Sequence, residues 1–328
     1  MEAQRRKTAV AWLSVISNAT LVAGKLAVGL LIGSVSVLSE AIHSGVDLLA
    51  AVIALFAVRT SHKSADEQHP FGHGKIENLS GTAEAVLIFL AAGWIIYEAI
   101  DKLLEPQPLE SVGLGCVVML ASALVNLAVS HLLFKVGKET DSIALRADAW
   151  HLRTDVYTSA GVMAGLGLIL IGNRLVPGVS LVWLDPAVAI VVALLIVRAA
   201  WTLTLEAGRD LMDASLPPEE TEWIQQTIKN CVPSVRGIHH LHTRKAGARR
   251  FIECHVVVDE SLSVGAAHVF SDALTAAIRV RFPDASVVTH IEPCDGSCRP
   301  ACVQGCLLPS AEQQQMVARF RRQPVNTP

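Results

Sequence analysis

Charge is scarce in this chain. Only 17% of its 328 residues are Asp, Glu, Lys or Arg, where a soluble domain has about a quarter. With 52% hydrophobic residues, that shortage excludes a simple cytosolic enzyme and an intrinsically disordered chain. Glycine has no regular period and apolar heptads are lacking, which removes collagen and coiled coil. There is no basic excess: 27 basic residues face 30 acidic ones, for a net charge of -3. Nucleic acid is therefore not an expected partner. The seven cysteines do not form a secreted disulfide framework, because Cys294, Cys298, Cys302 and Cys306 crowd into one short segment. A Gly-rich phosphate loop and a His-Glu-x-x-His motif are both missing, so nothing recommends a membrane enzyme.

What the chain has is long apolar runs, and they are confined to its first two thirds. A helix that crosses a bilayer needs about 20 mostly apolar residues. Six stretches qualify, at roughly 8–32, 34–58, 76–103, 111–136, 142–172 and 185–205. Arg5, Arg6 and Lys7 precede the first, but the run is too long for a signal peptide and reads as a retained helix. Lysine and arginine concentrate in the amino terminus and in the loops after spans 2 and 4 (Arg59, Lys63, Lys75; Lys135, Lys138). By the positive-inside rule both termini face the cytoplasm. Lys25, inside span 1, is expected to snorkel or to pair locally.

The remainder reads as a soluble domain that begins at Leu216-Pro217-Pro218. Its pattern predicts a helix at 219–231, strands at 237–244 and 250–258, a helix at 264–282 and a third strand at 286–292. Phe251, Glu253, His255 and Val257 share one face of the second strand. The order α-β-β-α-β suits a small open sheet with helices on one face. The domains expected are a six-span transport domain at 1–207, a soluble domain at 208–292 and a flexible cysteine-containing tail at 293–328.

Polar residues recur where they are costly. Span 2 holds Glu40-Ala41-Ile42-His43-Ser44-Gly45-Val46-Asp47, and span 5 holds Asp148-Ala149-Trp150-His151-Leu152-Arg153-Thr154-Asp155. Both read acid-Ala-x-His-x-x-x-Asp. Ionisable groups inside a span usually mark a pathway, a partner or a relay. A histidine and an aspartate four apart share a helical face. Two such helices side by side offer two imidazoles and two carboxylates, a set suited to a tetrahedral divalent transition metal, zinc above all. The alternative is a His–Asp packing contact without metal, which two matched copies disfavour. Span 2 runs inward and span 5 outward, and each motif lies roughly nine residues from its span's start, which puts both near the midplane. Glu40 and Asp148 either pass cations or protons toward this site or make helix-packing hydrogen bonds.

Six spans with His43/Asp47 and His151/Asp155 resemble the cation diffusion facilitator family of proton-coupled divalent metal exporters. So do the loop Ala65-Asp66-Glu67-Gln68-His69-Pro70-Phe71-Gly72-His73-Gly74-Lys75 and Leu211-Met212-Asp213 ahead of the soluble domain. The resemblance covers about residues 8–294 and is strongest to the bacterial zinc and iron exporters. It implies a homodimer in the inner membrane with a ferredoxin-like cytoplasmic domain and alternating access. It places a second, exposed metal site at Asp66, His69 and His73, where solvated loop histidines are the alternative. It pairs Lys75 with Asp213 as a charge interlock. It matches His239, His255, His268 and His290 to a binuclear metal site between two cytoplasmic domains. Glu292 stands where relatives have aspartate, and some relatives have aspartate in place of His43. His240 and His242 are additional and read as surface residues.

The resemblance stops near Cys294. Cysteines four apart can bind zinc or a softer ion, engage in redox chemistry or form a neutral extension. Gly296, Pro300 and Gly305 argue against a stable helix there without metal. The expected activity is proton-coupled efflux of divalent transition metals, Zn(II) first, with Fe(II), Cd(II) and Co(II) as further candidates. Zinc is then substrate and regulatory ligand, with no resident cofactor. The rival is a membrane-bound metal sensor that moves no ions.

Overall fold

The computed structural model describes residues 2–32, 35–104, 114–175, 183–231 and 235–322; the side chains of a few residues inside helices, Glu40 among them, fall outside the described set. The chain divides into two compact units, Met1–Leu211 and Met212–Pro328.

The first unit is a bundle of six long helices: α1 (Glu2–Ile32), α2 (Val35–Ser61), α3 (Lys75–Leu104), α4 (Leu114–Glu139), α5 (Ile143–Leu175) and α6 (Leu184–Leu211). Helix α1 packs chiefly on α2, α3 on α6 and α4 on α5, and α5 also meets α2 and α3. Small residues make this close approach possible. Ala11, Ala57, Ala144 and Ala149 are buried in one core, and Ala85, Ala92, Ala147, Ala200 and Ala207 in another. Many large apolar residues point outward, among them Leu31, Phe56, Leu90, Trp94, Leu124 and Val191, while Ile88, Leu133, Leu145 and Leu152 fill the cores. An apolar exterior over a small-residue interior is what lipid, rather than water, selects. Among the described residues, five of these helices are long and apolar enough to span a membrane. The remaining helix, α5, carries the Asp148–Asp155 motif in its first half.

Buried charge in this bundle is partnered at the ends of the helices. Lys7 on α1 donates to Glu77 on α3 at 2.7 Å, with side chains 8% and 1% exposed. Ser61, from the end of α2, donates to the same carboxylate at 2.8 Å. Ser142, just ahead of α5, donates to its other oxygen. One glutamate thus ties four helices. Lys25 pairs locally, as expected, by donating to Ser44 of α2 at 2.8 Å.

The second unit has helix α7 (Pro218–Cys231), strands β1 (Gly237–Ala246) and β2 (Arg249–Val258), helix α8 (Val264–Arg281) and strand β3 (Ser286–Pro293). Pro218 opens α7, and Glu219 and Glu220 follow in its first turn, where the helix dipole favours acids. Ser263 caps α8 through the N–H of Ala266. The sheet has the order β1-β2-β3, with β1/β2 antiparallel and β2/β3 parallel across the α8 crossover. This is a three-stranded α/β domain of the ferredoxin-like class. Ile252, Cys254, Val256 and Val258 face the core with Ile224, Ile228, Leu274 and Ile278. The opposite face of β2 carries Phe251, Glu253, His255 and Val257, as the alternation predicts.

The flexible tail expected at 293–328 is instead folded through residue 322. Cys294 N–H bonds the Val258 carbonyl at 2.8 Å, and Ile238 N–H bonds the Gly305 carbonyl at 2.9 Å. Leu307 N–H bonds the Arg236 carbonyl at 2.8 Å. Two further helices follow, α9 (Pro300–Gln304) and α10 (Ser310–Arg322). The physical reason is that the edge of β1 has free backbone groups, which the tail pairs. Residues 323–328 lie outside the described set.

The Glu77 clamp makes a direct prediction. Glu77→Ala leaves the Lys7 ammonium buried without a counter-charge, at a cost of about 3–5 kcal/mol. Thermal unfolding of the detergent-solubilised chain should show a lowered midpoint. An unchanged midpoint would mean that the clamp does not hold the helix ends together.

Candidate metal centres

Three groups of metal-ligating side chains have their ligand atoms within 4.8 Å of one another among the described residues: His43/Asp47/Asp155, Asp66/His69/His73 and His239/His255/Glu292. All nine residues were anticipated from the sequence.

In the helical bundle, the α2 and α5 motifs pair crosswise. His151 Nε2 lies 3.1 Å from Asp47 Oδ1, and His43 Nε2 lies 3.6 Å from Asp155 Oδ1. Helical spacing is the cause: each His-x-x-x-Asp puts its two side chains on one face, and the two faces meet. The set is lopsided. His151 and Asp47 are buried, at 5% and 3% exposure, while His43 is half exposed. His151 bonds Asp47 but is not in the compact three-residue group, and its Nδ1 has no hydrogen-bond partner. Asn126 on α4, which sequence reading did not single out, donates to Asp155 Oδ2 at 3.3 Å. A lone asparagine in an apolar run was its signal. Of the two flanking acids, Asp148 is fully buried and faces the Ser14 hydroxyl of α1. The side chain of Glu40 lies outside the described residues.

The second group sits on the loop between α2 and α3. Asp66 Oδ1 accepts the backbone N–H of His69 at 2.6 Å and that of Gln68 at 3.1 Å. The backbone N–H of His69 first, then the His69 and His73 rings, hold its carboxyl below the usual aspartate range against the opposing effect of desolvation. His69 Nδ1 is 3.2 Å from Asp66 Oδ1 and His73 Nε2 is 3.4 Å from Oδ2. The turn depends on Gly72, whose φ of 85° suits only glycine. His73 Nδ1 is buried without a partner, whereas His69 and Asp66 are open to solvent.

The third group is built by strand register. His239 of β1 sits opposite His255 of β2, which sits opposite His290 of β3. Glu292, two residues further on β3, faces the same side. Its Oε1 lies 2.8 Å from His255 Nδ1 and 3.6 Å from His290 Nε2, and its Oε2 lies 3.0 Å from His239 Nε2. Partial burial opposes ionisation of Glu292, but the bond to His255 and the nearby imidazoles of His239, His255 and His290 outweigh it and hold its carboxyl below the usual range. His239 meets the carboxylate off the line of a hydrogen bond, and neither ring nitrogen has such a partner. The longer arm of glutamate therefore still reaches all three rings. His268 is not brought into this group within one chain; it lies on the exposed side of α8, 3.6 Å from Asp272. His240 and His242 are exposed, as expected for surface residues. However, the ladder shifts register between His239 and His242, and His240 adopts φ 49°. That bulge carries the His240 ring to 5.0 Å from the rings of both His239 and His255.

A model of the cation efflux transmembrane domain matches residues 11–212, and one of the cation efflux protein cytoplasmic domain matches residues 216–294. The chain belongs to the cation diffusion facilitator, or cation efflux, family. It is a multi-pass membrane transporter and not an enzyme. An uncharacterised transporter of Synechocystis is 38% identical over 82% of this chain and 84% of its own length. The cation-efflux pump FieF of Klebsiella pneumoniae is 35% identical over 88% of this chain and 96% of its own. The zinc form of a candidate zinc transporter, CzrB, is 36% identical over 26% of this chain and 96% of its own, with a TM-score of 0.24.

Asn126 supplies the prediction here. Groups that orient a metal ligand typically carry about 10–100-fold in affinity or activity. Asn126→Leu should weaken divalent-metal binding to the membrane domain within that range and leave the abundance of the protein in the membrane unchanged. Wild-type affinity, measured by competition with a fluorescent chelator, would show that Asp155 needs no such support.

Proposed function

We propose that the chain exports zinc from the cytoplasm in exchange for protons, as a homodimer in the inner membrane with both termini cytoplasmic. The crossed His43/Asp155 and His151/Asp47 pairs carry this reading. Two imidazoles and two carboxylates form a nitrogen–oxygen set that suits zinc better than magnesium or calcium, which prefer oxygen alone. Iron(II), cobalt(II) and cadmium(II) are secondary substrates. The naming of FieF as a cation-efflux pump and of CzrB as a candidate zinc transporter agrees with this class of cargo.

The mechanism follows from the ligands' need to be deprotonated. In the inward-facing state His43 and His151 release to the cytoplasm the protons they carried in as imidazolium, and the neutral imidazoles with ionised Asp47 and Asp155 take up zinc. In the outward-facing state protons return to the imidazoles and the crossed contacts re-form without the ion. His43 is the ligand through which the ion joins and leaves, because it is the half-exposed member. The Asp66/His69/His73 loop and the His239/His255/His290/Glu292 set take cytoplasmic zinc as a regulatory ligand, with His268 contributed across the dimer. Zinc at the soluble domain then favours the transporting conformation only to the extent that it binds that state more tightly.

Reconstituted proteoliposomes test the proposal. Zinc flux should follow an imposed pH gradient and stop when an ionophore collapses it. Asp47→Ala and Asp155→Ala should each abolish flux at normal protein abundance. Binding without flux in the wild type would instead identify a sensor. Selectivity gives a second check. His43→Asp replaces nitrogen with oxygen, so cadmium flux should rise relative to zinc; an unchanged ratio would remove His43 from the selectivity site.

A further inference from the structure

The tail beyond β3 is not absorbed by the family match, which ends at residue 294. It leaves β3 at Cys294, whose N–H is tied to the last residue of β2, Val258. The chain then reverses through Gly296, with φ 81°, and Cys298, with φ 48°. Ser297 N–H bonds the Asp295 carboxylate at 2.8 Å inside this turn. Helix α9 carries Cys302, and directly after it Cys306 bridges to Gly237 at the start of β1. The start of β1, the end of β2 and the end of β3 all lie at one end of the sheet. The tail therefore crosses that end from β3 to β1, and it brings its four cysteines along the crossing.

The Cys294–Val258 bond and the Cys306–Gly237 bridge hold both ends of the cysteine run against the same end of the sheet. Burial, together with the neighbouring thiols of Cys298, Cys306 and Cys294, pushes the Cys302 thiol up to about 11. Cys298 is raised by burial and then by Cys294 and Cys306. All four are free, and Cys298, Cys302 and Cys306 are partly accessible while Cys294 is buried. A tail docked this way is specified by its backbone. A Cβ on Gly305 would come within 1.7 Å of the Ile238 carbonyl oxygen, so only glycine permits the Ile238–Gly305 bond.

We propose that Cys294, Cys298, Cys302 and Cys306 form a four-thiolate site for a zinc-class cation, folded against the end of the sheet and separate from the histidine–glutamate set. Sulfur-only ligation selects a borderline-soft d10 ion, and four cysteines complete its tetrahedron without an open position, as in structural zinc sites. The balance is one Zn(II) and four thiols giving one zinc tetrathiolate of charge -2 and four released protons. The sulfur atoms are not already within the 4.8 Å spacing of the three groups above, so binding draws them together. The ion then locks the crossing from β3 to β1, two residues along β1 from His239.

The test uses the full-length protein in detergent with zinc or cadmium alone. Wild type should bind one more ion per chain than Cys298→Ser/Cys302→Ser/Cys306→Ser. Cadmium should produce a sulfur-to-metal charge-transfer band in the ultraviolet that this variant lacks. One equivalent of zinc beyond saturation of the histidine sites should slow alkylation of Cys298, Cys302 and Cys306 about tenfold, read peptide by peptide in a mass spectrometer. Gly305→Ala retains every thiol but blocks docking, and should lose the protection while keeping the membrane and histidine sites loaded. Equal metal content in wild type and the triple serine variant, or alkylation rates indifferent to zinc, would overturn the proposal. Because the readouts are metal content and thiol reactivity, they are independent of whether the membrane domain moves zinc.

Discussion

A carboxylate buried in an apolar helical bundle has to find a partner, and the membrane unit is arranged around that constraint. Glu77 meets it permanently: Lys7, Ser61 and Ser142 converge on one side chain, and four helices are registered as a result. Asp47 and Asp155 meet it conditionally. Their partners are imidazoles from the opposite helix, a side-chain type that can also act as a metal ligand. The first arrangement is a fixed joint and the second an exchangeable one. The difference between lysine and histidine as partner separates a fixed clamp from the candidate metal site.

The architecture was largely legible because its signals are long or repeated. Six apolar runs mark six helices, and two copies of acid-Ala-x-His-x-x-x-Asp mark the pair of helices that must touch. What the pattern could not give is the cross-pairing, in which each histidine meets the aspartate of the other helix, nor the place of Asn126, since a single amide in an apolar helix has no period. In the soluble unit, alternation on β2 correctly predicted the face of His255. The bulge between His239 and His242 was hidden, because a one-residue shift in pairing leaves no mark in composition.

The tail misled for a different reason. Glycine and proline break a helix, which in a sequence looks the same as flexibility. The same residues allow a tight reversal at Gly296 and a close backbone approach at Gly305, so the broken helix becomes a short α9 docked by main-chain bonds. His268 was likewise matched by type and position, but within one protomer it faces solvent on α8.

The row of imidazoles across the sheet has a metric consequence. The rings of His239 and His255 are 5.2 Å apart and those of His255 and His290 are 4.6 Å apart, close to the spacing of neighbouring strands, about 4.7–4.9 Å. The ruler for this site is therefore the hydrogen-bonded backbone rather than any rotamer. Exchanging one histidine for another donor alters how strongly a rung grips but leaves the interval between rungs unchanged. Only slippage of one strand past its neighbour can rescale it, and such slippage would also turn the core residues of that strand outward.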